Sequence, residues 1–446
     1  MSTDIKIKKG LTIKLKGTAS KELATATRSE IFTIYPTDFS GIKPKLTVKV
    51  GDKVMAGDVI FFNKSNEDMK FVSPVSGEVK DIIRGAKRKI LAITIQADKQ
   101  DSFKDFGKKT PNNLSGIQVK QALLESGCWA FVNQRPYDTL ANPNDEPKAI
   151  FISGFDTAPL AADTTFALQG KEDTFQAGID ALAKLTEGKV HLSVQGKSFL
   201  NNIKGVSLHN VSGKHPAGNV GVQIAKLDPI NAGERVWTLK AQDVAIIGNL
   251  FLTGQFDATR IVALAGSEVK NPKYYSVKTG NKLTDVIGDE LTNDNVRIIN
   301  GNPLTGQAVK ADGSVGFYTN EITVLPEGNQ YRFIGWMPFK DNKIHSVART
   351  SLSFLSNKEF TLNTNFNGEE RAFVVTGEME KVMPIDVYPM QLLKATMLGD
   401  IEKMENLGIY EVAPEDFALV DYICTSKIEA QEIIRKGLDL MIEEVG

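Results

Sequence analysis

Two short stretches of this chain, each a pair of β-rich segments around glycine turns, most restrict what it can fold into. The first reads KVGDKVMAGDVIFF and the second FVSPVSGEVKDIIRG. In both, β-branched and aromatic residues alternate with polar ones, a pattern typical of short strands. Gly51, Gly57 and Gly77 stand where tight turns require positive φ angles, which residues with a Cβ resist. The stretches predict a compact β domain with strands between residues 31 and 97.

The paired halves have the arrangement of a barrel-sandwich hybrid, the fold of lipoyl and biotinyl domains, and we assign this domain to residues 1–110. Such carrier domains present their modified lysine at a hairpin tip, midway between the halves. Here the Met-Lys pair ending at Lys70 lies thirteen residues after Gly57 but seven before Gly77, which places it along the second strand. The tip falls near Lys64 instead. We therefore predict a scaffolding barrel without a carrier lysine, and biotinylation or lipoylation is the alternative.

The apolar periodicity changes after the barrel and indicates four further regions. Residues 111–258 alternate helices with buried strands, as in KAIFISGFDTAPLAAD and TFQAGIDALAKLTEGKVHLSVQG, and predict a Rossmann-like α/β domain. Residues 259–310 are predicted to be a compact β-rich unit that ends near residue 310, and residues 311–380 to be further short strands. Residues 381–446 are predicted to be a helical tail. Its last helix is predicted over TSKIEAQEIIRKGLDLMIEE, where apolar residues follow a Thr-Ser start at helical spacing.

Charge and cysteine content exclude several classes of protein. The 53 basic residues nearly balance the 54 acidic ones, so no overall field attracts nucleic acid or anionic lipid. Only Cys128 and Cys424 occur, outside any CxxC pair, which excludes a disulfide framework and a four-thiolate metal site. The first residues lack the apolar core of a signal peptide, and no apolar run approaches the ~20 residues of a membrane-spanning helix. We expect a cytoplasmic protein that reaches a membrane only through other subunits.

The polar residues form no catalytic or metal-binding motif. The QGKSF segment resembles the end of a phosphate loop, but His191 stands where such a loop needs glycine. Among the histidines, His215 in HPAGNVG is the most suggestive, because the adjoining turn could bring backbone N–H groups to a ligand. A structural loop is the alternative. The segment SGFDTAPLAAD follows a predicted strand, at the sheet edge where open α/β sheets bind ligands; its acids Asp156 and Asp163 could equally be solvated or capping groups.

Segments along the whole chain, in the same order, resemble a known family. They are IKIKKGL, IKPKLTVKVGDKV, FVSPVSGEVKDIIRGAKR, HPAGNVGVQI, LFLTGQFDATRIVALAG, NTNFNGEERAF and EKVMPIDVYPMQLL. The family is the A subunit of the bacterial Na+-translocating NADH:quinone oxidoreductase (Na+-NQR). The resemblance implies a peripheral subunit on the cytoplasmic face of the bacterial inner membrane, docked chiefly on the membrane-embedded B subunit. The complex passes electrons from NADH to quinone and exports Na+. It further implies a β-grasp (SLBB-like) unit at 259–310 and a degenerate ferredoxin-like tail at 381–446.

The resemblance extends to cofactor-carrying relatives and so implies what this chain has lost. The C subunit of the Rnf complex and the flavin subunit of respiratory complex I bind FMN or NADH around a loop of the type Asn-Gly-Ala-Glu-Cys-Glu-Pro. The matching loop here runs from Ser153 to Pro159 and keeps Gly154 and the proline. It retains one acid, Asp156, but lacks the asparagine and the second acid. We expect a degenerate flavin loop that binds neither FMN nor NADH.

The tail carries the same implication for iron-sulfur clusters. The cluster-binding segments of the Rnf C subunit match EKVMPIDVYPMQLLK and ALVDYICTSKIEAQE, which together retain only Cys424. Because a cluster needs about four thiolates, one cysteine cannot hold it. We expect no cofactor in this chain, with flavins and iron centres in other subunits.

Quinone is the ligand that the resemblance leaves for this chain, bound either within it or at its contact with the B subunit. A quinone pocket needs apolar walls and one or two hydrogen-bond donors. Trp129, Phe131 and Tyr137 are candidate walls, Arg135 is a candidate donor, and His215 completes the predicted contacts. Ordinary packing at a helix end is the alternative for the first four. For the whole chain, the alternatives are a flavin- or NADH-binding dehydrogenase module and a purely structural role.

Overall fold

The computed structural model describes residues 3–329, 343–347, 349, 352–355 and 359–445. The strands are β1 Thr3–Ile7, β2 Ser20–Thr25, β3 Ile31–Ile34, β4 Pro44–Leu46, β5 Lys53–Val54, β6 Val59–Asn63, β7 Asn66–Val72, β8 Gly77–Arg84, β9 Ile90–Ala97, β10 Asn133–Arg135, β11 Thr139–Leu140, β12 Ala149–Ser153, β13 Lys189–Val194, β14 Ser207–Gly213, β15 Val236–Lys240, β16 Thr259–Ala265, β17 Lys273–Lys278, β18 Val296–Asn300, β19 Gln307–Val309 and β20 Glu321–Pro326. The helices are α1 Gly116–Glu125, α2 Thr164–Ala167, α3 Glu172–Leu182, α4 Val220–Leu227, α5 Ala241–Thr253, α6 Leu283–Ile287, α7 Pro389–Leu398, α8 Ile401–Asn406, α9 Ala418–Ile423 and α10 Ala430–Glu444.

The predicted barrel-sandwich domain is formed by a four-stranded sheet, β3-β9-β8-β5, and a three-stranded sheet, β4-β6-β7. Gly51, Gly57 and Gly77 have φ angles of 91°, 95° and 157°. At Gly77 a Cβ would lie 2.1 Å from the carbonyl oxygen of Gln96, so no larger residue fits this strand start. Lys70 lies on β7 opposite Phe62 of β6, as its spacing predicted, and the hairpin between these strands turns at Lys64 and Ser65.

The first two strands lie outside the barrel that was predicted for residues 1–110. Strand β1 pairs in parallel with β14, and β2 pairs in parallel with β17. The local alternation of these segments indicates a strand but not its partner, because both partners come much later in the chain. The N-terminal segment therefore contributes β1 to the sheet of the α/β domain and β2 to the sheet of the β-rich unit, before the barrel begins.

The α/β domain contains a seven-stranded sheet in the order β1-β14-β13-β12-β15-β10-β11. Its first five strands are parallel to one another, and β10 pairs antiparallel with both β15 and β11. Helices α3 and α5 pack closely against each other because two glycines face the contact. A Cβ on Gly248 would lie 1.7 Å from the Thr174 carbonyl oxygen, and one on Gly178 would lie 2.1 Å from that of Val244. Close approach of the helices thus depends on residues without side chains.

The β-rich unit contains a six-stranded sheet in the order β19-β18-β20-β16-β17-β2. It extends beyond the predicted end near residue 310, because β20 pairs with both β16 and β18. In the described part of residues 311–380, β20 and single β-bridges at Ser314 and Phe360 replace the predicted run of short strands. Asparagine, glycine and charged residues in NTNFNGEERAF disfavour regular strands there. Residues 330–342, 348, 350–351 and 356–358 of this prediction lie outside the described residues.

The C-terminal tail is helical, with α7 to α10 around a core that includes Ile434, Leu438 and Met441. The last helix begins at Ala430 and not at the predicted Thr-Ser start. The Asp421 carboxylate accepts hydrogen bonds from the backbone N–H groups of Ala430 and Gln431, which fixes the first turn at the later position. Across the residues that the structure describes, no helix has the length and apolarity to cross a membrane.

Candidate functional site

A large cavity lies at the carboxyl ends of the parallel strands β12 and β15. Within the sheet, β13 and β14 follow on one side of β12, and the chain then returns to place β15 on the other side of β12. This reversal of strand order is the position where open α/β sheets bind ligands. The cavity has a volume of about 400 Å³. Its walls come from the α/β domain, from the β-rich unit, from Asp38 of the barrel domain and from Glu415 of the tail, so four regions of the chain line it.

The loop predicted as a degenerate flavin site forms part of this wall through Ser153 and Asp156. The Ser153 hydroxyl lies 2.8 Å from the Phe155 carbonyl oxygen and 2.9 Å from that of Gly218. A Cβ on Gly154 would lie 2.9 Å from the Ser193 carbonyl oxygen, so this position requires glycine. Asp156 accepts a hydrogen bond from its own loop, at Ala158 N (2.8 Å). Pro159 is buried, and the loop is therefore held by internal contacts.

His215 lines the cavity next to this loop and is 4% exposed. Thr157 Oγ1 accepts a hydrogen bond from Gly218 N at 2.9 Å and lies 3.2 Å from His215 Nδ1. The hydroxyl can therefore donate to Nδ1, and we assign the proton of the neutral ring to Nε2. Burial lowers the pKa of His215, which favours this neutral form. Nε2 is covered by neighbouring atoms and has no hydrogen-bond partner among the described residues.

Arg135 lines the cavity and attaches the tail to the α/β domain. Its Nη1 donates to Asp416 at 2.6 Å and its Nη2 to Glu415 at 2.5 Å, and the side chains of Arg135 and Asp416 are 2% and 0% exposed. Burial lowers the pKa of Arg135, but the charges of Asp416 and Glu415 outweigh burial and raise it overall. A Cβ on Gly221, in the first turn of α4, would lie 2.4 Å from Arg135 Nη1 and 2.7 Å from the Asp416 carboxylate. Glycine thus makes room for a buried ion pair at this helix N-terminus.

The structure does not bring the five predicted quinone contacts together. Trp129 is 1% exposed and packs edge-on against Trp237, with 5.2 Å between the ring centroids. Its indole Nε1 donates to the Ala141 carbonyl oxygen at 2.8 Å. Phe131 stacks on Phe317 at 4.9 Å. Tyr137 is 5% exposed and packs in the core that contains the tail. These three side chains are core residues, and only Arg135 and His215 line the cavity.

Carboxylates outnumber cations on the cavity wall. The acids are Asp38, Asp138, Asp156, Glu321 and Glu415, and the cations are Arg135 and Lys240. Burial raises the pKa of Asp38 to about 6, and burial together with Asp156 raises that of Glu321 to about 7. Burial also raises the pKa of Glu415 to about 7 against the effect of Arg135; 39% of this side chain is exposed, and it lines the cavity.

The relatives' flavin phosphate or NADH pyrophosphate does not fit these residues. At the N-terminus of α4, where a helix dipole would attract phosphate, the carboxylate of Asp416 is already present beside Gly221. Arg135 is engaged by two carboxylates. Cys424, the one cysteine in the tail, is 3% exposed, and the described residues contain no group of three or more metal-ligating side chains. On the wall, Lys240 alone is then left to oppose the charge of a phosphate group, against five carboxyl groups.

Several wall residues were not identified from the sequence. Glu321 comes from β20, after the predicted end of the β-rich unit, and Asn300 and Asn302 come from the end of the neighbouring strand β18 and the turn after it. Glu415 lies in the tail, 280 residues from Arg135 in sequence. The APEDF segment, a proline-initiated turn with two adjacent acids, was the available signal for a charged helix start. Nothing in that segment indicates which cation it meets.

Comparison with known protein families gives matches over most of the chain. Family models described as "NqrA N-terminal barrel-sandwich hybrid domain", "NqrA second alpha/beta domain" and "NQRA C-terminal domain" match residues 5–98, 114–256 and 261–311. A protein of Neisseria meningitidis serogroup B, named as the A subunit of a Na(+)-translocating NADH-quinone reductase, is 35% identical over 446 residues, which is 99% of this chain and 100% of the relative. Proteins of the same name from Haemophilus influenzae (strain PittGG) and Marinomonas sp. (strain MWYL1) are also 35% identical, over 99% and 98% of this chain.

Among solved structures, a chain of an NAD+-reducing [NiFe]-hydrogenase aligns with a TM-score of 0.39 and 11% identity, covering 76% of this chain and 62% of that one. Similarity at this level carries no functional argument.

Proposed function

The chain belongs to the family of A subunits of the Na+-translocating NADH-quinone reductases, and from this premise we propose that it is a cofactor-free subunit that docks on the membrane-embedded B subunit and covers or completes the quinone site. As a member of this family it is part of an oxidoreductase complex, whose action couples quinone reduction to Na+ transport. We place this chain on the cytoplasmic face of the membrane.

The cavity chemistry supports the absence of a redox cofactor. The predicted flavin loop satisfies its own hydrogen bonds, and carboxylates stand near the position where a phosphate would bind. A flavin or dinucleotide would introduce further negative charge among acids that are already desolvated. Electrons would then pass through other subunits, and this chain would act by its surface.

Exposed apolar side chains on the tail carry the docking proposal. On α7, Met397 and Leu398 are 58% and 80% exposed, and Tyr388, just before this helix, is 65% exposed. The Lys394 Nζ lies 5.6 Å from the Phe373 ring centroid, which brings Val374 and Val375 beside the same helix. These two valines are 56% and 65% exposed. We name Tyr388, Met397, Leu398, Val374 and Val375 the tail patch. Exposed apolar side chains on and near one helix are typical of a protein contact surface.

The positions of the aromatic candidates favour a quinone site at the subunit contact. A quinone needs apolar walls, but Trp129, Phe131 and Tyr137 are enclosed in the core. Arg135 and His215 line a cavity that also carries five carboxyl groups, and an isoprenoid chain bound there would remove water from these groups at a cost. The tail patch could supply one apolar wall, with the B subunit supplying the other.

Capture of the B subunit by an affinity-tagged form of this chain tests the docking proposal. The double variant Met397→Glu/Leu398→Glu places two charges in the tail patch and should reduce the amount of captured partner by at least about tenfold, because desolvating a charge is costly. The matched control is Ile117→Glu on α1, which is 79% exposed and lies in the α/β domain. Equal capture by both variants would remove the tail patch from the contact.

A photoreactive quinone in the assembled complex tests the second half of the proposal. Labelling of the tail patch that disappears when the B subunit is omitted is the expected result. Normal docking without any quinone label on this chain would favour the purely structural alternative. Flavin absorbance in the purified chain would favour the dehydrogenase alternative.

A further inference from the structure

The cavity at the carboxyl ends of β12 and β15 is not part of the proposed docking surface. Its volume of about 400 Å³ lies within the ~300–1,000 Å³ that is typical of small-molecule sites. It also lies where the strand order of the sheet reverses, and a ligand inside it would contact the α/β domain, the β-rich unit and Glu415 of the tail.

The charge on the wall excludes one class of ligand. Of the two wall cations, Arg135 is neutralised by Glu415 and Asp416, and the Lys240 ammonium donates to the Tyr318 carbonyl oxygen at 3.1 Å. The Lys240 charge remains, but the wall acids Asp38, Asp138, Asp156 and Glu321 outnumber it, so the acidic wall disfavours a phosphate or carboxylate ligand. The ligand is therefore neutral or cationic.

The polar groups on the wall are those that bind hydroxyl groups. Carboxylates accept hydrogen bonds from neighbouring hydroxyls, and side-chain amides both donate and accept. The wall amides are Asn133, Asn219, Gln242, Asn300, Asn302, Gln307 and Asn320. Three wall residues also keep a buried polar atom without a partner in the described chain: Arg135 Nε, His215 Nε2 and Asn300 Oδ1. All three atoms are covered, so a ligand reaches them only after a side-chain rotation.

The wall also offers aromatic surface. Phe155, Phe317 and Tyr318 line the cavity, and Phe317 is held by stacking on Phe131, with an angle of 19° between the rings. A flat heterocycle packs well against such rings. We propose that the cavity binds a ligand of the nucleoside class, a heterocycle that carries a sugar with neighbouring hydroxyls and no phosphate. The heterocycle packs on the aromatic wall, and Asp156 and Glu321 accept hydrogen bonds from the sugar.

The charge argument gives a test that needs no variant. Adenosine and uridine, and their 5′-monophosphates, are titrated against the purified full-length chain by calorimetry and by ligand-detected NMR. Saturable binding of at least one nucleoside is expected, about tenfold or more tighter than its monophosphate, which corresponds to ~1.4 kcal/mol. Absence of binding by both nucleosides in the millimolar range overturns the proposal, and so does equal or tighter binding of the monophosphates.

Substitution of the exposed wall residue Asp156 gives a second test, because it should change the affinities for nucleoside and monophosphate in opposite directions. Asp156→Asn removes one negative charge and one strong acceptor, so nucleoside affinity should fall several-fold while monophosphate affinity rises. Asp68→Asn, an exposed substitution on strand β7 of the barrel, is the matched control and should change neither affinity. A parallel change of both affinities in Asp156→Asn would contradict the assigned role. Capture of the B subunit does not involve the cavity, so failure here leaves the docking proposal unaffected.

Discussion

Removal of the Asp416 carboxylate should release the tail from the α/β domain. In Asp416→Ala, Arg135 stays buried at 2% exposure and keeps only Glu415, whose side chain is 39% exposed, while Ala413 N loses its acceptor at 2.9 Å. Removing one partner of a buried ion pair costs about 3–5 kcal/mol. Because Glu415 remains, we expect a cost near the lower limit, about 3 kcal/mol, or a factor of more than about 100 in the equilibrium constant for opening.

Amide hydrogen exchange measures the free energy of opening separately for the tail helices and for the rest of the chain. Amide protection in α9 and α10 should fall by that factor in Asp416→Ala, and protection in the barrel should change little, because local opening need not involve the whole chain. The matched control is Asp439→Ala, which breaks an exposed ion pair with Arg435 and should cost less than about 1 kcal/mol.

Two results would refute the reasoning about the ion pair. One is equal protection in Asp416→Ala and Asp439→Ala, which would mean that the buried pair does not hold the tail. The other comes from Arg135→Leu/Asp416→Leu, in which both charges are replaced by apolar groups. This double variant should recover part of the loss, since the buried guanidinium is gone and the Glu415 carboxylate that remains is 39% exposed to water. If it is less stable than Asp416→Ala, lost packing and not an uncompensated charge dominates the effect.

Three further predictions concern other parts of the chain. Burial raises the pKa of Glu321 from 4.5 to about 7, so the folded chain binds the proton of this carboxyl group more tightly than the unfolded chain does. The stability that the bound proton contributes is complete below about pH 4.5 and is lost as the pH rises to 7. Glu321→Gln should therefore reduce the decline in urea-unfolding free energy between about pH 4.5 and 7 by up to ~3 kcal/mol, and an unchanged pH profile would contradict this. Gly248→Ala places a Cβ 1.7 Å from the Thr174 carbonyl oxygen and should destabilise α3 and α5 by at least about 1–3 kcal/mol in the same assay, whereas wild-type stability would mean that the helices separate freely. Intact-mass measurement of the chain from cells that contain biotin and lipoate ligases should show no added group; a mass increase mapped to Lys64 or Lys70 would show a carrier role.

Local sequence patterns predicted elements well where neighbouring residues determine the structure. The positive φ angles of the barrel glycines follow from local turn chemistry, and the position of Lys70 on a strand followed from its spacing alone. The helix-strand rhythm predicted the sheet edge after β12, where a cavity lies. In each case the cause lies within about ten residues of the effect.

Contacts between distant residues were not predictable from these patterns. Aromatic residues after α1 suggested a pocket wall, but the same side chains suit a core, and only their packing against Trp237 and Phe317 distinguishes the two. Likewise, Arg135 was a candidate ligand donor, whereas its partners Glu415 and Asp416 come from a turn about 280 residues later. A single sequence shows that a charged residue is present but does not identify the residue with which it forms an ion pair.

The pairing of the first two strands has a consequence for synthesis on the ribosome. Strand β1 meets β14 across 206 residues, and β2 meets the β17 region across 252. At about 5–20 residues per second, these segments wait roughly 10–50 s for their partners to be made. During this time the barrel that follows them can fold, but their own edges stay open to other chains. Nascent protein interrupted before residue 270 should therefore need chaperone protection that the full-length chain does not.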